Sequence, residues 1–445
     1  MKKAIRGRMV SYADNPFMKP LEDCLRYEDD GLVVIDAGHI TAVGSAVDLL
    51  PELGPNVSIT HYKKAIICPG FIDCHVHYPQ TEMIGAYGKQ LIDWLNKYTF
   101  VAEQKFADKN YALAIAEVFL KELLRVGTTS AAVFCTVHPQ SVDAFFEQSA
   151  KLNMRNIAGK ALMDRFAPSN LTDTAQSGYD ETKSLIERWH GKGRALYAVT
   201  PRFAPTSTEE QMEMTGTVWK EHPGTYLQSH ISENKAEIKW VKELYPDRKS
   251  YVDVYNYYGQ LGSRAIYGHG VHFTEEDFRI FAETGTAIAH CPTSNLFLGS
   301  GLFNLERAMT GIPAVRTGLA TDLGAGTNFS QLVSMNEAYK IAQLNGFALN
   351  AHKAFYLSTR GAAEALYLED KIGSLAAGYE ADIAVLDLQA TPLLGFRLDR
   401  AETLEELLFV LMTLGDDRAV KATYISGELM YERDPEAENE RFHGI

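Results

Sequence analysis

The stretch Ile67-Cys-Pro-Gly-Phe-Ile-Asp-Cys-His-Val-His-Tyr-Pro-Gln80 runs from an apolar segment into two histidines one residue apart, His75 and His77. Alternate residues of a β-strand project from the same face, so a strand here would bring both imidazoles to one point. Neutral imidazole is a common zinc ligand. Because His-x-His pairs are also frequent in proteins without a metal, the pair predicts a metal site only if the rest of the chain supplies further ligands.

The composition is that of a folded globular protein. The 445 residues are 46% hydrophobic and 22% charged, which is enough to bury a large core. The formal net charge of −14 argues against binding to nucleic acid or to an anionic membrane surface. No signal peptide is evident, apolar runs such as Leu407–Met412 are too short to span a bilayer, and five scattered cysteines favour reduced thiols. We therefore expect a cytoplasmic protein with no nucleic-acid or membrane partner.

The centre of the chain, residues 67–374, alternates apolar strands with helical patterns, which is typical of parallel βα units. The predicted strands are Gly70–His77, Thr128–Thr136, Ile157–Met163, Leu196–Thr200, Tyr226–His230, Ala265–His269, Ala287–His290 and Ala314–Asp322. The clearest helical patterns are Tyr111–Leu124, Glu181–Trp189, Thr208–Trp219, Lys235–Leu244 and Glu275–Ala282. Eight such units favour an α/β fold of the (β/α)8 TIM-like barrel type. An open doubly wound sheet is the alternative, and the strand count alone does not exclude it.

The two ends of the chain have a different character, with short strands and turns. Gly31–Ile35 and Ile40–Val43 are predicted strands near the amino terminus, and Ala422–Tyr431 is a predicted hairpin near the carboxyl terminus. We expect residues 1–66 and 375–445 to pair into one small composite β-sandwich domain beside the barrel.

In a barrel of this type, functional residues lie where the strands end. His75 and His77 end the first predicted strand, His230 the fifth, His269 the sixth and Asp322 the eighth. All five are of metal-ligand or proton-handling type, and their common position makes coincidence an unlikely explanation. Three other histidines compete or are assigned to packing: His272 is a competitor for the role of His269, while His138 and His290 are assigned to packing.

Three histidines and one aspartate would leave a coordination position for water, whose pKa a catalytic zinc lowers towards neutrality. The fourth predicted strand ends without a lysine that could carry a bridging carboxylate, and this favours a single ion. Asp322 can both bind a metal and accept the proton of the water. Glu233, three residues after His230, is a natural general acid for a nitrogen leaving group.

Several segments resemble a known family. Pro69-Gly-Phe-Ile-Asp-Cys-His-Val-His77 resembles the first-strand motif of the amidohydrolase superfamily. Further segments resemble the guanine deaminase family within it: His77-Tyr-Pro-Gln80 with Trp94-Leu95, Thr200-Pro-Arg-Phe-Ala-Pro205, His230-Ile-Ser-Glu-Asn234, Cys291-Pro-Thr-Ser-Asn295 and Thr321-Asp-Leu-Gly-Ala-Gly326. The resemblance implies hydrolysis of guanine to xanthine and ammonia, in a homodimer with one Zn²⁺ per subunit. Fe²⁺ or another divalent ion could fill the same ligands.

The resemblance also implies a role for each matching residue. The implied zinc ligands are His75, His77, His230 and Asp322, and the implied catalytic residues are Glu233, His269 and Asp322. The implied substrate contacts are His77, Gln80, Arg202, Phe203, His230, Glu233 and Asp322. In the implied mechanism hydroxide formed at the metal attacks C2 of guanine while Glu233 protonates N3. His269 orients the hydroxide, and the proton held by Asp322 helps ammonia to leave.

Alternatives to this function are also open. The nearest rival is a related metal-dependent deaminase that acts on 8-oxoguanine or an aminotriazine, because only the pocket contacts would differ. A non-catalytic scaffold with the same barrel would be expected to lack metal ligands, whereas this chain has the full set. A cytidine-deaminase-type zinc site is disfavoured by the absence of its His-x-Glu and Pro-Cys-x-x-Cys motifs. The segment Gly85–Phe100, which contains Trp94, is a candidate cover for the pocket.

Overall fold

A computed structural model of the chain describes residues 2–87 and 94–433. We number its sixteen strands in chain order: β1 (Lys3–Tyr12), β2 (Leu25–Asp36), β3 (His39–Ser45), β4 (Ser58–Pro69), β5 (Phe71–His77), β6 (Thr128–Phe134), β7 (Ile157–Gly159), β8 (Ala161–Leu162), β9 (Leu196–Pro201), β10 (Tyr226–Ile231), β11 (Ala265–His269), β12 (Ala287–His290), β13 (Thr317–Leu319), β14 (Ile383–Asp387), β15 (Val420–Ile425) and β16 (Glu428–Glu432). They form two sheets.

Strands β5 to β13 form the barrel that the sequence predicts. Neighbouring strands are hydrogen-bonded in parallel in the order β5, β6, β7, β9, β10, β11, β12 and β13. The predicted strand Ile157–Met163 is divided into β7 and β8, both of which pair with β9, so the two pieces act as one barrel strand. The (β/α)8 architecture is confirmed, and the open doubly wound sheet is not found.

Helices follow the barrel strands on the outside. The longer ones are Lys109–Arg125, Pro139–Lys151, Ala175–Trp189, Glu209–Glu221, Lys235–Leu244, Tyr251–Tyr257, Glu275–Thr284, Pro292–Phe297, Leu305–Thr310, Gln331–Leu344, Ala351–Leu357 and Arg360–Ala365. Their starts are set locally: the Thr274 hydroxyl accepts a hydrogen bond from the backbone of Asp277, whose carboxylate accepts one from Thr274 in return. Such reciprocal bonds satisfy amide groups that have no partner within the helix.

The second sheet combines the two ends of the chain. It has seven strands in the order β16, β15, β14, β4, β1, β2 and β3. The antiparallel pair of β4 and β14 joins the amino-terminal strands to the carboxyl-terminal ones. The segment between β14 and β15 also contains two helices, Pro392–Leu398 and Leu404–Leu414, that were not predicted. Phe409 of the second packs edge-on against Tyr339 of a barrel helix, with ring centroids 5.1 Å apart. The predicted domain boundaries at residues 66/67 and 374/375 stay a prediction, and β4 runs across the first of them.

The first and last barrel strands are joined through a buried aspartate. Asp73 Oδ1 accepts hydrogen bonds from the backbone amides of His75 and Thr321, at 3.2 and 3.0 Å, and Asp73 Oδ2 accepts one from the Thr321 hydroxyl. The amide of Asp322 donates to the carbonyl of His75 at 2.9 Å. Burial raises the pKa of Asp73 to about 6, although the bonds from Thr321 and His75 oppose this rise. These contacts hold His75 and Asp322 side by side. In the sequence, Thr321 and Asp322 follow one another, and Thr321 lies 246 positions after His75.

Two further features match the composition. All five cysteines are buried and free. Among the residues that the structure describes, no helix combines the length and the apolar character needed to cross a membrane.

The contact between Asp73 and Thr321 yields a prediction about stability. Thr321→Val removes the hydroxyl donor and leaves a buried carboxylate oxygen without this partner, which costs about 1–3 kcal/mol of unfolding free energy. We expect a lower urea midpoint for metal-free Thr321→Val than for the metal-free wild type, so that metal binding does not contribute. Thr217→Val is the control, because this helix threonine bonds only its own turn at the surface. Equal losses in the two variants would contradict a special role for Asp73.

Candidate active site

Four metal-ligand side chains meet at the carboxyl ends of the barrel strands. The Nε2 atoms of His75 and His77 lie 3.2 and 3.1 Å from Nε2 of His230, and each lies 3.4 Å from Oδ1 of Asp322. His75 and His77 come together because alternate residues of β5 face the same side, while Cys74 faces the helix Arg360–Ala365. The ligand set expected from the resemblance is therefore one compact cluster.

The protonation of this cluster suits a cation. Burial lowers the pKa of His77 to about 3 and that of His230 well below its usual range, so both imidazoles are neutral at neutral pH. The Nδ1–H group of His230 donates to the carbonyl of Arg202 at 2.6 Å, which leaves Nε2 free to bind a metal. Burial opposes the charge of Asp322, but His75 and His77 hold its pKa well below its ordinary value. Three neutral nitrogens and one carboxylate form a donor set that zinc accepts.

His269 lies beside this cluster. Its Nδ1 atom is 2.9 Å from Oδ1 of Asn295, and its Nε2 atom is 3.5 Å from Glu233 and 3.7 Å from Asp322. Nε2 has no hydrogen-bond partner among the described residues and faces the cavity with the two carboxyl groups. His272, the competitor for this role, instead contacts the carbonyl of Ser300 through Nε2.

His138 and His290, which the sequence analysis assigned to packing, lie apart from this cluster. His138 contacts Thr136 and the carbonyl of Asn170, and the buried ring of His290 packs against Phe303. Neither histidine lines the cavity.

Glu233 is held by two residues that the sequence analysis did not identify. The Ser300 hydroxyl donates to Glu233 Oε1 at 2.9 Å, and Glu237 Oε2 accepts the backbone amide of Glu233 at 3.0 Å. Tyr251 donates to the other oxygen of Glu237 at 2.8 Å. Burial and the neighbouring Asp322 raise the pKa of Glu233 to about 8, and burial and Glu233 raise that of Glu237 to about 7. Glu233 can therefore carry a proton at neutral pH.

The predicted purine contacts line the same cavity. Gln80 belongs to the 3₁₀ turn Tyr78–Met83 that follows β5, and its Oε1 atom is buried without a hydrogen-bond partner among the described residues. Arg202 and Phe203 follow β9 directly and are both buried. Gly324, with a φ of +119°, leaves room for Gln80, because a Cβ atom there would lie 2.0 Å from Gln80 Oε1.

These groups line one cavity, whose empty space, including the part open to solvent, is about 420 Å³. Its lining is His77, Gln80, Trp94, Leu95, Arg202, Phe203, His230, Glu233, Glu237, His269, Leu298, Asp322 and Ala325. All predicted site residues line it except His75, whose Nε2 atom lies 3.2 Å from that of His230. Of the candidate cover Gly85–Phe100, residues 88–93 lie outside the described residues, whereas Trp94 and Leu95 contribute to the wall.

Sequence reasoning missed Glu103, Glu237 and Ser300. A local signal existed for Glu237, since Asn234-Lys-Ala-Glu237 has the spacing of a helix capping box. Glu103 accepts a hydrogen bond from Arg202, 99 positions away in the sequence, and Ser300 donates one to Glu233, 67 positions away. No local pattern indicates such contacts.

Comparisons with known proteins agree with this architecture. Residues 66–430 match the Amidohydrolase family. The chain is 49% identical to the guanine deaminase of Escherichia coli K12, over 97% of this chain and 98% of that protein. It is 32% identical to the guanine deaminase of Homo sapiens, over 81% and 82% of the two proteins.

Solved structures give the same result. The structure of the Escherichia coli guanine deaminase superposes with a TM-score of 0.94, covering 97% of this chain and all of that one at 49% identity. The guanine deaminase of C. acetobutylicum, with guanine bound in its active site, superposes with a TM-score of 0.86 at 28% identity, covering 97% and 100%. The chain thus belongs to the amidohydrolase family, on its guanine deaminase branch.

Proposed function

We propose that this chain hydrolyses guanine to xanthine and ammonia with the help of one zinc ion. The observation that carries the proposal is the meeting of the cluster His75, His77, His230 and Asp322 with Gln80, Arg202 and Phe203 at one cavity. The relatives named above support the substrate. A cytoplasmic location and a homodimeric assembly stay predictions.

The metal would be held by His75, His77, His230 and Asp322. When bound, zinc supplies a water molecule whose pKa is lowered towards neutrality. Fe²⁺ or another divalent ion could occupy the same nitrogen and oxygen donors, because availability as well as affinity decides which ion is bound.

Guanine would bind in the cavity through Gln80, Arg202 and Phe203. Guanine is an uncharged planar ring with a carbonyl oxygen and several N–H groups. Arg202 can donate a hydrogen bond to the carbonyl, Gln80 offers both a donor and an acceptor, and Phe203 supplies an aromatic wall. The Oε1 atom of Gln80, which has no hydrogen-bond partner within residues 2–87 and 94–433, would gain one from a ring N–H group.

Proton transfer would be divided between two carboxyl groups with opposite pKa shifts. Glu233, whose pKa is raised to about 8, would donate a proton to N3 of the ring. Asp322, whose pKa is held well below its ordinary value, would accept the proton that the water loses. His269 lies within 3.7 Å of both groups and would orient the water between them.

The direct test is ammonia release from guanine by the zinc-loaded protein, with xanthine identified as the second product. We expect both products in equal amounts. Release from 8-oxoguanine or an aminotriazine but not from guanine would show that the substrate assignment is wrong although the metal site is right.

Metal removal should abolish turnover. We expect about one zinc per chain after purification without chelators, loss of ammonia release on chelation and recovery with added Zn²⁺. His230→Ala should reduce the zinc content measured by atomic emission, whereas His61→Ala, at an exposed position of β4, should not. Full zinc retention by His230→Ala would place the ion elsewhere.

Replacing the proton donor should separate catalysis from metal binding. Glu233→Gln cannot donate a carboxyl proton, and we expect kcat to fall by at least about 100-fold with the zinc content unchanged. Glu243→Gln, at an exposed position of the following helix, is the matched control. Near-normal turnover by Glu233→Gln would exclude the proposed role.

The close approach of Gly324 to Gln80 yields a prediction about substrate binding. In Gly324→Ala the new Cβ would collide with Gln80 Oε1, so Gln80 must move and KM for guanine should rise about tenfold or more while zinc is retained. The control is Gly378→Ala, which has a similar positive φ of +91° but no heavy atom within 4 Å of the new Cβ. An unchanged KM in Gly324→Ala would mean that Gln80 does not contact the substrate.

A further inference from the structure

Arg202 is bound by a buried carboxylate that comes from a distant part of the chain. Its NH1 group donates to Oε1 and Oε2 of Glu103, at 2.9 and 2.8 Å. The Arg202 side chain is 5% exposed and that of Glu103 is 1% exposed. This is the one ion pair that Arg202 forms among residues 2–87 and 94–433.

The pair determines the net charge at the position of Arg202 in the cavity wall. Trp94, Leu95, Phe203 and Leu298 line this region, and they leave little water to screen a charge. An unpaired guanidinium here would be a strong attractor for an anionic ring. With Glu103 beside it the net charge is zero, while Arg202 keeps N–H groups for hydrogen bonding.

The same carboxylate also joins Arg202 to the segment Leu95–Glu103. Glu103 ends the short helix Phe100–Glu103, which follows the π-helical turn Leu95–Thr99. The ring of Phe100 lies 5.8 Å from the guanidinium carbon of Arg202. Arg202, which follows β9, is therefore held against Phe100 and Glu103 of this helix.

We propose that Glu103 is a specificity-determining residue that makes the pocket select neutral purine rings and reject purine anions. The inference rests on the proposed function and adds to it a reason for product release. Xanthine loses a proton more readily than guanine does, so near neutral pH part of the product is an anion. Because Glu103 compensates the charge of Arg202, that anion would gain no net electrostatic attraction from the pair, whereas neutral guanine would keep its hydrogen bonds to Arg202.

A purely structural role for Glu103 makes a different prediction. If Glu103 only anchored the segment Leu95–Glu103, its replacement would weaken the binding of every ligand to a similar degree. A role in charge selection changes the ratio between anionic and neutral ligands, since specificity is a difference of two affinities. The ratio is therefore the quantity to measure.

The experiment compares urate, which is an anion at neutral pH, with hypoxanthine, which is neutral and has no amino group to remove. Inhibition constants and ligand-induced shifts of the melting temperature are measured on the zinc-loaded full chain. In Glu103→Gln we expect the affinity for urate relative to hypoxanthine to rise about tenfold, and KM for guanine to rise as well. Glu380→Gln is the matched control, because Glu380 also pairs with a buried arginine, Arg155, outside the cavity.

Two further measurements keep the test decisive if Glu103→Gln does not fold. The double variant Glu103→Gln/Arg202→Gln has no buried charge at this position and should return the ratio to the wild-type value. In the wild type, which needs no substitution, the affinity for xanthine relative to hypoxanthine should fall as the pH rises through the ionisation of xanthine; hypoxanthine corrects for the titration of Glu233 and Glu237 in the same cavity. A xanthine-to-hypoxanthine affinity ratio that is constant or rises with pH, or an unchanged urate-to-hypoxanthine ratio in Glu103→Gln, would overturn the proposal.

Failure of the proposed function would be visible separately. The melting-temperature shifts need no turnover, so they report on charge selection even if the wild type released no ammonia from guanine. Turnover of guanine with an unchanged ratio would instead refute the role of Glu103 alone.

Discussion

The hydrogen bonds of Asp73 are the constraint on which the site depends. This carboxylate lies between the first and last barrel strands and accepts two amides and one hydroxyl from them. These three donor groups belong to two residues: His75, which is part of the histidine and aspartate cluster, and Thr321, which precedes Asp322 of the same cluster. The geometry of the cluster therefore depends on the closure of the barrel. A carboxylate with three donors is also a costly group to lose, because each donor would be left buried without a partner.

Charge balance explains why so many titratable groups can share one buried cavity. Unpaired charges are unfavourable in a region with little water, and most of the groups here are neutral or compensated. His77 and His230 are held neutral by burial, and Glu233 holds a proton because burial and Asp322 raise its pKa. The charge of Arg202 is compensated by Glu103. Asp322 stays ionised within a donor set that suits a divalent cation, so a bound cation would complete the balance.

The sequence predicts those parts of the fold that depend on local pattern. The strand ends at His77, His230 and His269 follow from runs that stop at a polar residue, and six of the eight predicted strands match single strands to within two residues at each end. The predicted strand Ile157–Met163 is divided into β7 and β8. The last predicted strand, Ala314–Asp322, is shortened to Thr317–Leu319, because Thr321 and Asp322 leave the ladder to bond with β5. The two helices between β14 and β15 were missed, because the second, Leu404–Leu414, packs against the barrel helices Gln331–Leu344 and Ala351–Leu357, and no local pattern indicates such contacts. Glu103 and Ser300 were missed for the same reason.

Backbone strain at the barrel rim shows how the strand ends become a site. Ser232, His269 and Asp322 have positive φ values of 47°, 80° and 48°. Residues other than glycine rarely adopt this backbone conformation, which costs about 1–3 kcal/mol per residue. Each lies at or just beyond the end of a barrel strand, where the chain turns away from the sheet. Backbone bonds hold the turns, among them those from Gly270 to Ile231 and from His272 to Ser232. The packed barrel thus maintains a conformation that short peptides would avoid, and that conformation keeps His269 and Asp322 at the cavity instead of continuing the strand.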